Sequence, residues 1–199
     1  MADSEVDLGQ SRLCLRHGTV ADAKRIEAVH WSALEAAYLG RIRGWPKTPR
    51  NVPDRVKRWQ DWLADPDIDV IVGEVDGEMV GFCAVRPGTD DDLDPLTDGE
   101  VPTLYVHPDH WSRGYGRSLC FEAFRSAAKR GFLSLSLWAV DLNERARDFY
   151  LRLGFTPDGR KKLDPDTVEP HTASRYRISL TAVPDPRRPS ISPEPTGPT

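Results

Sequence analysis

No run of eighteen consecutive apolar residues occurs in this 199-residue sequence, so nothing in it has the length of a membrane-spanning helix. Cysteine is scarce. Cys14, Cys83 and Cys120 stand far apart, form no C-x-x-C pair, and each lies in an apolar stretch where a thiol behaves as a small hydrophobe. That argues against a disulfide framework or a thiolate metal centre and reads as structural thiols in a reducing compartment. Strong charge of one sign is missing too: a net charge of −4 gives no whole-chain pull toward nucleic acid or an anionic membrane. The opening MADSEVDLGQS lacks the basic start and apolar centre of a secretory signal. Two phosphate-binding signatures are absent. G-x-x-x-x-G-K-[ST] occurs nowhere, and after Gly114 and Gly116 a leucine, Leu119, stands where a dinucleotide fingerprint needs its third glycine. The expectation is a cytoplasmic domain of ordinary size, with neither nucleic acid nor membrane as partner.

Patterning divides the chain in three. Residues 1–10 carry little apolar content, and the proline-rich stretch from 182 to 199 has no periodic apolar face; neither buries enough surface to offset its ordering entropy, so both are expected as disordered tails. Between them, 11–181 reads as one domain. RLCLRHG opens as a strand. Thr19 and Asp22 form a T-x-x-D cap before a helix with Val20, Ala23, Ile26, Val29, Ala33 and Ala37 at helical spacing. A Gly- and Pro-rich loop precedes a second helix from about Asp54 to Ala64. IDVIVGEV and EMVGFCAV are strands joined by Asp76-Gly77, a hairpin signal because both positions accept positive φ. After an acidic loop come the strand EVPTLYV, a helix to about Arg130, the strand LSLSLWAV, a helix in NERARDFYLRLGF ending at Gly154, a strand from Phe155, and a last strand in ASRYRISL. The order β α α β β β α β α β β predicts a mixed α/β (α+β) fold with a mostly antiparallel sheet, not a regular βαβ repeat.

The junction WSRGYGRSL, at 111–119, carries the chemistry. A strand that turns directly into a glycine-rich helix start exposes N–H groups with no intrahelical partner, at the positive end of the helix dipole. Such a start suits an anionic phosphoryl oxygen. Gly114 and Gly116 remove side chains from the approach, Arg113 and Arg117 can add charge-assisted hydrogen bonds, and Ser118 a hydroxyl.

R-G-Y-G after a strand bearing a glutamate resembles the acetyl-CoA loop of the GNAT superfamily of N-acyltransferases, whose pattern is Gln or Arg, two residues, Gly, one residue, Gly or Ala. Gly114 and Gly116 match it, whereas Trp111 departs from the first position. LYVHPDH resembles the family's preceding strand and turn, and NERARDFYLRLGF its later helix, so the similarity covers nearly all of 11–181. The resemblance implies about seven strands flanked by about four helices, with the sheet splayed between the strand at 100–106 and that at 133–140. It further implies acetyl transfer from acetyl-CoA, the sole co-substrate and with no metal, to a primary amine by direct attack without an acyl-enzyme. Glu100 takes the position of the general base found in some members and Tyr150 that of the general acid. Leu104, Tyr105 and Val106 would lie along the pantetheine arm with Asn143, and Arg113, Gly114, Tyr115, Gly116, Arg117 and Ser118 around the phosphates. Trp31 and Tyr38 are candidates for the acceptor side. The partner implied is a small-molecule or peptide amine, and the assembly a homodimer.

Each assignment has a plainer reading. Glu100 can be a solvated strand end, Tyr150 a core-edge aromatic, and Asn143 a helix cap. Asp90, Asp92 and Asp94 begin like a calcium loop, yet Pro95 and Val101 occupy positions where that loop needs Gly and Glu, so a solvated loop is expected. Arg41, Arg43, Lys47, Arg50, Arg55, Lys57 and Arg58 form either a solvated face or the border of a site for an acidic acceptor. The rival function is an acyl-CoA-binding sensor of the same fold, separable by amine-dependent thioester cleavage.

Overall fold

The computed structural model describes residues 4–7, 12–43, 51–163 and 171–182. Its sheet is built from β1 (Ser4–Asp7), β2 (Arg12–His17), β3 (Asp69–Val75), β4 (Glu78–Pro87), β5 (Asp98–Val106), β6 (Ser134–Val140), β7 (Thr156–Leu163) and β8 (Thr172–Ser179). The helices are α1 (Ala23–Tyr38), α2 (Val52–Ala64), α3 (Tyr115–Lys129) and α4 (Glu144–Arg152). The strands form one sheet in the order β1-β2-β3-β4-β5-β6-β8-β7, antiparallel throughout except for the β5–β6 pair. The expected seven strands are all present. β1 is an eighth, and it corrects the expectation of a disordered tail for Ser4–Asp7, whose backbone pairs with β2 from Ser4↔Leu15 to Asp7↔Arg12. An edge strand offers a full row of backbone donors and acceptors, so pairing there needs no apolar content. The proline-rich stretch from 183 onward lies outside the described residues.

The local signals act as expected. Asp76 and Gly77 sit at φ 52° and 83°, the left-handed turn that sends β4 back along β3. Asp22 accepts the Thr19 N–H at 2.9 Å and its hydroxyl at 3.0 Å, closing the turn that leads into α1. Val20, expected at the head of the apolar stripe, lies in that turn and is 45% exposed. The second helix starts at Val52, two residues earlier than expected, and is capped by Asn51, whose side chain accepts from the Asp54 N–H.

Two cores flank the sheet. Ala23, Ile26 and Val29 of α1 and Val56 and Trp59 of α2 pack on Val70, Val72, Phe82 and Ala84. On the other face Leu119, Cys120, Ala123 and Phe124 of α3, with Tyr150 of α4, pack on Cys83, Val85, Leu135 and Leu137. At about 25 cal/mol per Å² of buried apolar surface, these two layers hold the sheet rigid from both sides. Among the described residues no helix is long and apolar enough to cross a membrane.

Candidate active site

β5 and β6 run side by side only at their starts, through Asp98↔Ser134, Gly99↔Leu135 and Glu100↔Ser136. Beyond Glu100, β5 stays paired with β4 (Thr103↔Ala84 to Val106↔Gly81) while its other edge loses β6. The β4–β5 register shifts between Ala84 and Arg86, opposite Pro102, which has no N–H to give a ladder. The sheet is thus splayed where expected, and the backbone of Leu104–Val106 borders the gap.

α3 begins at the end of that strand. Gly114 is its N-cap at φ 85°, a conformation open to glycine and costly for other residues. Ser118 N–H bonds the Gly114 carbonyl at 3.1 Å, so the amides of Tyr115, Gly116 and Arg117 precede the helical ladder. A Cβ on Gly116 would stand 3.4 Å from the Phe149 ring and 3.6 Å from Val106, an ordinary contact. Packing therefore does not demand glycine at 116. Arg113 is exposed, the Arg117 guanidinium lies 5.3 Å over the Phe121 ring, and Ser118 is half-buried. The Tyr115 side chain is buried in the core, leaving its amide as the group that can serve a ligand.

Trp111 stands where the loop pattern has Gln or Arg, and it ties the loop down. Its Nε1 donates to the Val106 carbonyl at 2.7 Å, so that carbonyl is already engaged. Arg145 of α4 stacks 4.3 Å over the indole and donates to Ser112 Oγ at 3.2 Å. Asn143 caps α4, accepting from the Ala146 N–H at 3.1 Å, and its amide nitrogen makes no bond to a described residue.

Glu100 is buried at the point of divergence. Its Oε2 accepts from Arg86 Nε and Nη2 at 3.2 and 3.1 Å and from Thr89 Oγ1 at 3.0 Å, while Oε1 is left for another donor. It is therefore an anchored carboxylate and not a loose strand end. Tyr150, on α4, packs edge-on against Phe149 and Phe155, and its hydroxyl bonds no described residue. Burial pushes the phenol's pKa well up, with Cys120, Tyr38 and Cys83 adding to the shift. Tyr38 is thus close enough to be felt at Tyr150, while Trp31 sits half-buried under the Arg55 guanidinium at 5.1 Å. Lys47 and Arg50 lie outside the described residues.

The family model for the acetyltransferase (GNAT) family matches residues 29–155, nearly two thirds of the sequence. The chain belongs to the GNAT acetyltransferase family. An uncharacterized N-acetyltransferase of Methanocaldococcus jannaschii is 37% identical over 119 residues, 59% of this chain and 53% of that protein. Another from Archaeoglobus fulgidus is 36% identical over 96 residues, 48% of this chain and 65% of that protein. The matched part thus spans about half to two thirds of those relatives. The PaiA N-acetyltransferase of Thermoplasma acidophilum, solved in complex with coenzyme A, superimposes with a TM-score of 0.63 at 16% identity, covering 83% of this chain and 99% of that one. An N-acetyltransferase from Staphylococcus aureus gives 0.66 at 16% identity, covering 84% and 98%. These structures establish a GNAT fold.

Within that GNAT frame, two clusters escaped the sequence. Glu27 is 1% exposed and receives Arg55 Nε at 2.8 Å and Trp59 Nε1 at 3.2 Å. Arg55 Nη2 reaches His30 Nδ1 at 2.9 Å, so this arginine belongs to an internal network and not to a free basic face. Arg175, 2% exposed, gathers Asp90, Asp92 and Asp158 at 2.6–2.9 Å. Asp90 also accepts from Trp138 Nε1 at 3.0 Å. The acidic loop is therefore bolted to β8 and not simply solvated. Helical spacing signals a core face for α1 and nothing more; only the fold brings position 55 to position 27, or 175 to 90.

Proposed function

We propose that this protein transfers an acetyl group from acetyl-CoA to a primary amine by direct attack. The observation that carries the proposal is the glycine-opened start of α3 set against the edge of β5 from which β6 diverges. The residues fit acetyl-CoA. The amides of Tyr115, Gly116 and Arg117 and the side chains of Arg113, Arg117 and Ser118 would hold the phosphates, and the β5 edge with the Asn143 amide would hold the arm. Acetyl-CoA supplies the activated acyl group; the chain supplies position and protons. Peptide N–H groups of Leu104–Val106 that face the gap can donate to the thioester oxygen, where charge develops during attack.

Protons must move as well. Glu100, with Oε1 open, takes one from the incoming ammonium through water; Tyr150 gives one to the departing thiolate and is restored by the second proton that the nitrogen sheds as the amide forms. The raised pKa keeps the tyrosine protonated at working pH, which an acid requires. Burial of Cys83 and Cys120, whose thiol pKa values are pushed up, supports a route without an acyl-enzyme. Amine basicity favours an α-amine as acceptor: near pKa ~7.8 about one in seven is neutral at pH 7, against about one in 2,500 for a lysine near ~10.4. The experiment is free-thiol release from acetyl-CoA across glycinamide, propylamine, ethanolamine, spermidine and Nα-acetyl-lysine. Amine-dependent release supports the enzyme. Binding of CoA with no release for any amine would favour the sensor.

A further inference from the structure

His30 is a buried polar side chain with one free end. It is 8% exposed and lies edge-on to Trp59 of α2 at 5.2 Å between ring centroids, to Phe82 of β4 at 6.2 Å and to Tyr105 of β5 at 4.5 Å. Its Nδ1 sits 2.9 Å from Arg55 Nη2. Arginine carries only donors, so Nδ1 must accept and the neutral ring must hold its hydrogen on Nε2. Arg55 is itself held by buried Glu27 at 2.8 Å and by the Trp31 ring. An imidazolium would set N–H against N–H in this geometry. Burial, together with the Arg55 and Arg58 charges, accordingly lowers the pKa to about 3. The charged groups near the ring are Glu27 of α1 and Arg55 and Arg58 of α2, while β4 and β5 present the rings of Phe82 and Tyr105.

Nε2 makes no hydrogen bond to a described residue, so among the described residues its N–H is left to serve another acceptor. A histidine with a purely structural role in a core ordinarily has both nitrogens satisfied. The place matters. Tyr105 belongs to the stretch of β5 that borders the gap, and its ring faces the α1–α2 layer, whereas α3 packs on the opposite face.

We propose that His30 is a fixed Nε2–H donor to an oxygen of the acceptor, positioned by Arg55, and that the acceptor is a primary amine bearing a carbonyl or carboxylate oxygen. This rests on the acetyl-transfer reading above and narrows its substrate class: the two substrates meet at β5 from opposite faces, and the α1–α2 face reads an oxygen. An aminoacyl group supplies such an oxygen beside an amine of low pKa.

Two measurements test it. Long-range proton–nitrogen correlation spectra of the imidazoles should show His30 as the neutral Nε2–H tautomer, unchanged from about pH 8 to about pH 5. An Nδ1–H tautomer, or a midpoint near that of a free histidine, overturns the lock. The second is the ratio of kcat/KM for glycinamide to that for propylamine, compared between wild type, His30→Phe and His30→Asn. Differences in amine basicity cancel in this double ratio. His30→Phe should lower the ratio about tenfold, the reach of one neutral hydrogen bond, with KM for acetyl-CoA unmoved; His30→Asn, which keeps an N–H, should recover part. An unchanged ratio in folded His30→Phe overturns the acceptor contact alone. A wild type from which none of these amines elicits thiol release overturns that contact together with the transfer reading.

Discussion

Gly114 does two things that no other residue can do together. It holds φ at 85°, and it leaves the approach to three unladdered amides clear. Gly114→Val should weaken acetyl-CoA binding strongly, measured by calorimetry on the folded variant, because a branched Cβ neither tolerates that φ nor lets phosphate oxygens come close. Unchanged affinity would move the phosphates elsewhere. Tyr150 poses a subtler case, since its ring is core and only its hydroxyl is free. Tyr150→Phe keeps the packing, so kcat should drop by about 10²–10⁴ with KM for acetyl-CoA nearly constant, as expected for loss of a general acid. Wild-type turnover in that variant would reduce Tyr150 to a packing residue.

Among the secondary-structure elements, those with local signals were legible and those fixed by distant partners were not. Asp76-Gly77 announced its hairpin and Gly114-Tyr115-Gly116 the start of α3, because each constraint acts within a few residues. β1 carries no such mark: its pairing is supplied by the open edge of β2. The Asp90–Asp92 segment looked like solvent-facing charge because its cation is 85 and 83 residues away at Arg175. That clamp makes a prediction about the elements it joins. Arg175→Met removes the cation from among three partly buried carboxylates, releasing the β4–β5 loop from β8 and β7. Tm should fall by roughly 10 °C near neutral pH, and by less in acid, where the carboxylates can protonate. An equal loss at both pH values would assign the effect to volume and not to charge.

For the molecule as a whole, acid stability is set by groups the fold has taken from their ordinary environment. His30 binds a proton near pH 6.5 when unfolded but only near 3 when folded, so unfolding takes up a proton between those values and stability falls as pH drops through that window. Asp22, Glu74, Asp92 and Asp98 all have lowered pKa values, with Arg16, Arg25, Arg175 and Arg177 among their partners, and add their loss only below about pH 4.5. Thermal melts should therefore decline already between pH 6.5 and 4.5, and His30→Phe should flatten that upper portion. A flat wild-type profile there would mean the histidine is not held neutral.

The chemistry proposed above is a property of the assembled molecule, because the two buried thiols are poor carriers for an acetyl group. Cys83 of β4 and Cys120 of α3 are sealed in the core between strand and helix. Ser126 and His17 both bond Asp69 but are not set as a relay, since the hydroxyl donates to the carboxylate itself and no bond joins it to the imidazole. What the fold offers instead is a shared strand: the unladdered amides of α3 on one side of β5, an anchored carboxylate at its register shift, and a buried phenol on α4. Direct attack, as proposed above, requires both substrates to be bound at once. Initial rates measured against both substrates should give intersecting double-reciprocal lines, and protein incubated with acetyl-CoA alone should show no acetyl adduct by intact-mass spectrometry. Parallel lines with an adduct on one residue would place a covalent carrier in the path, and direct attack would have to be abandoned.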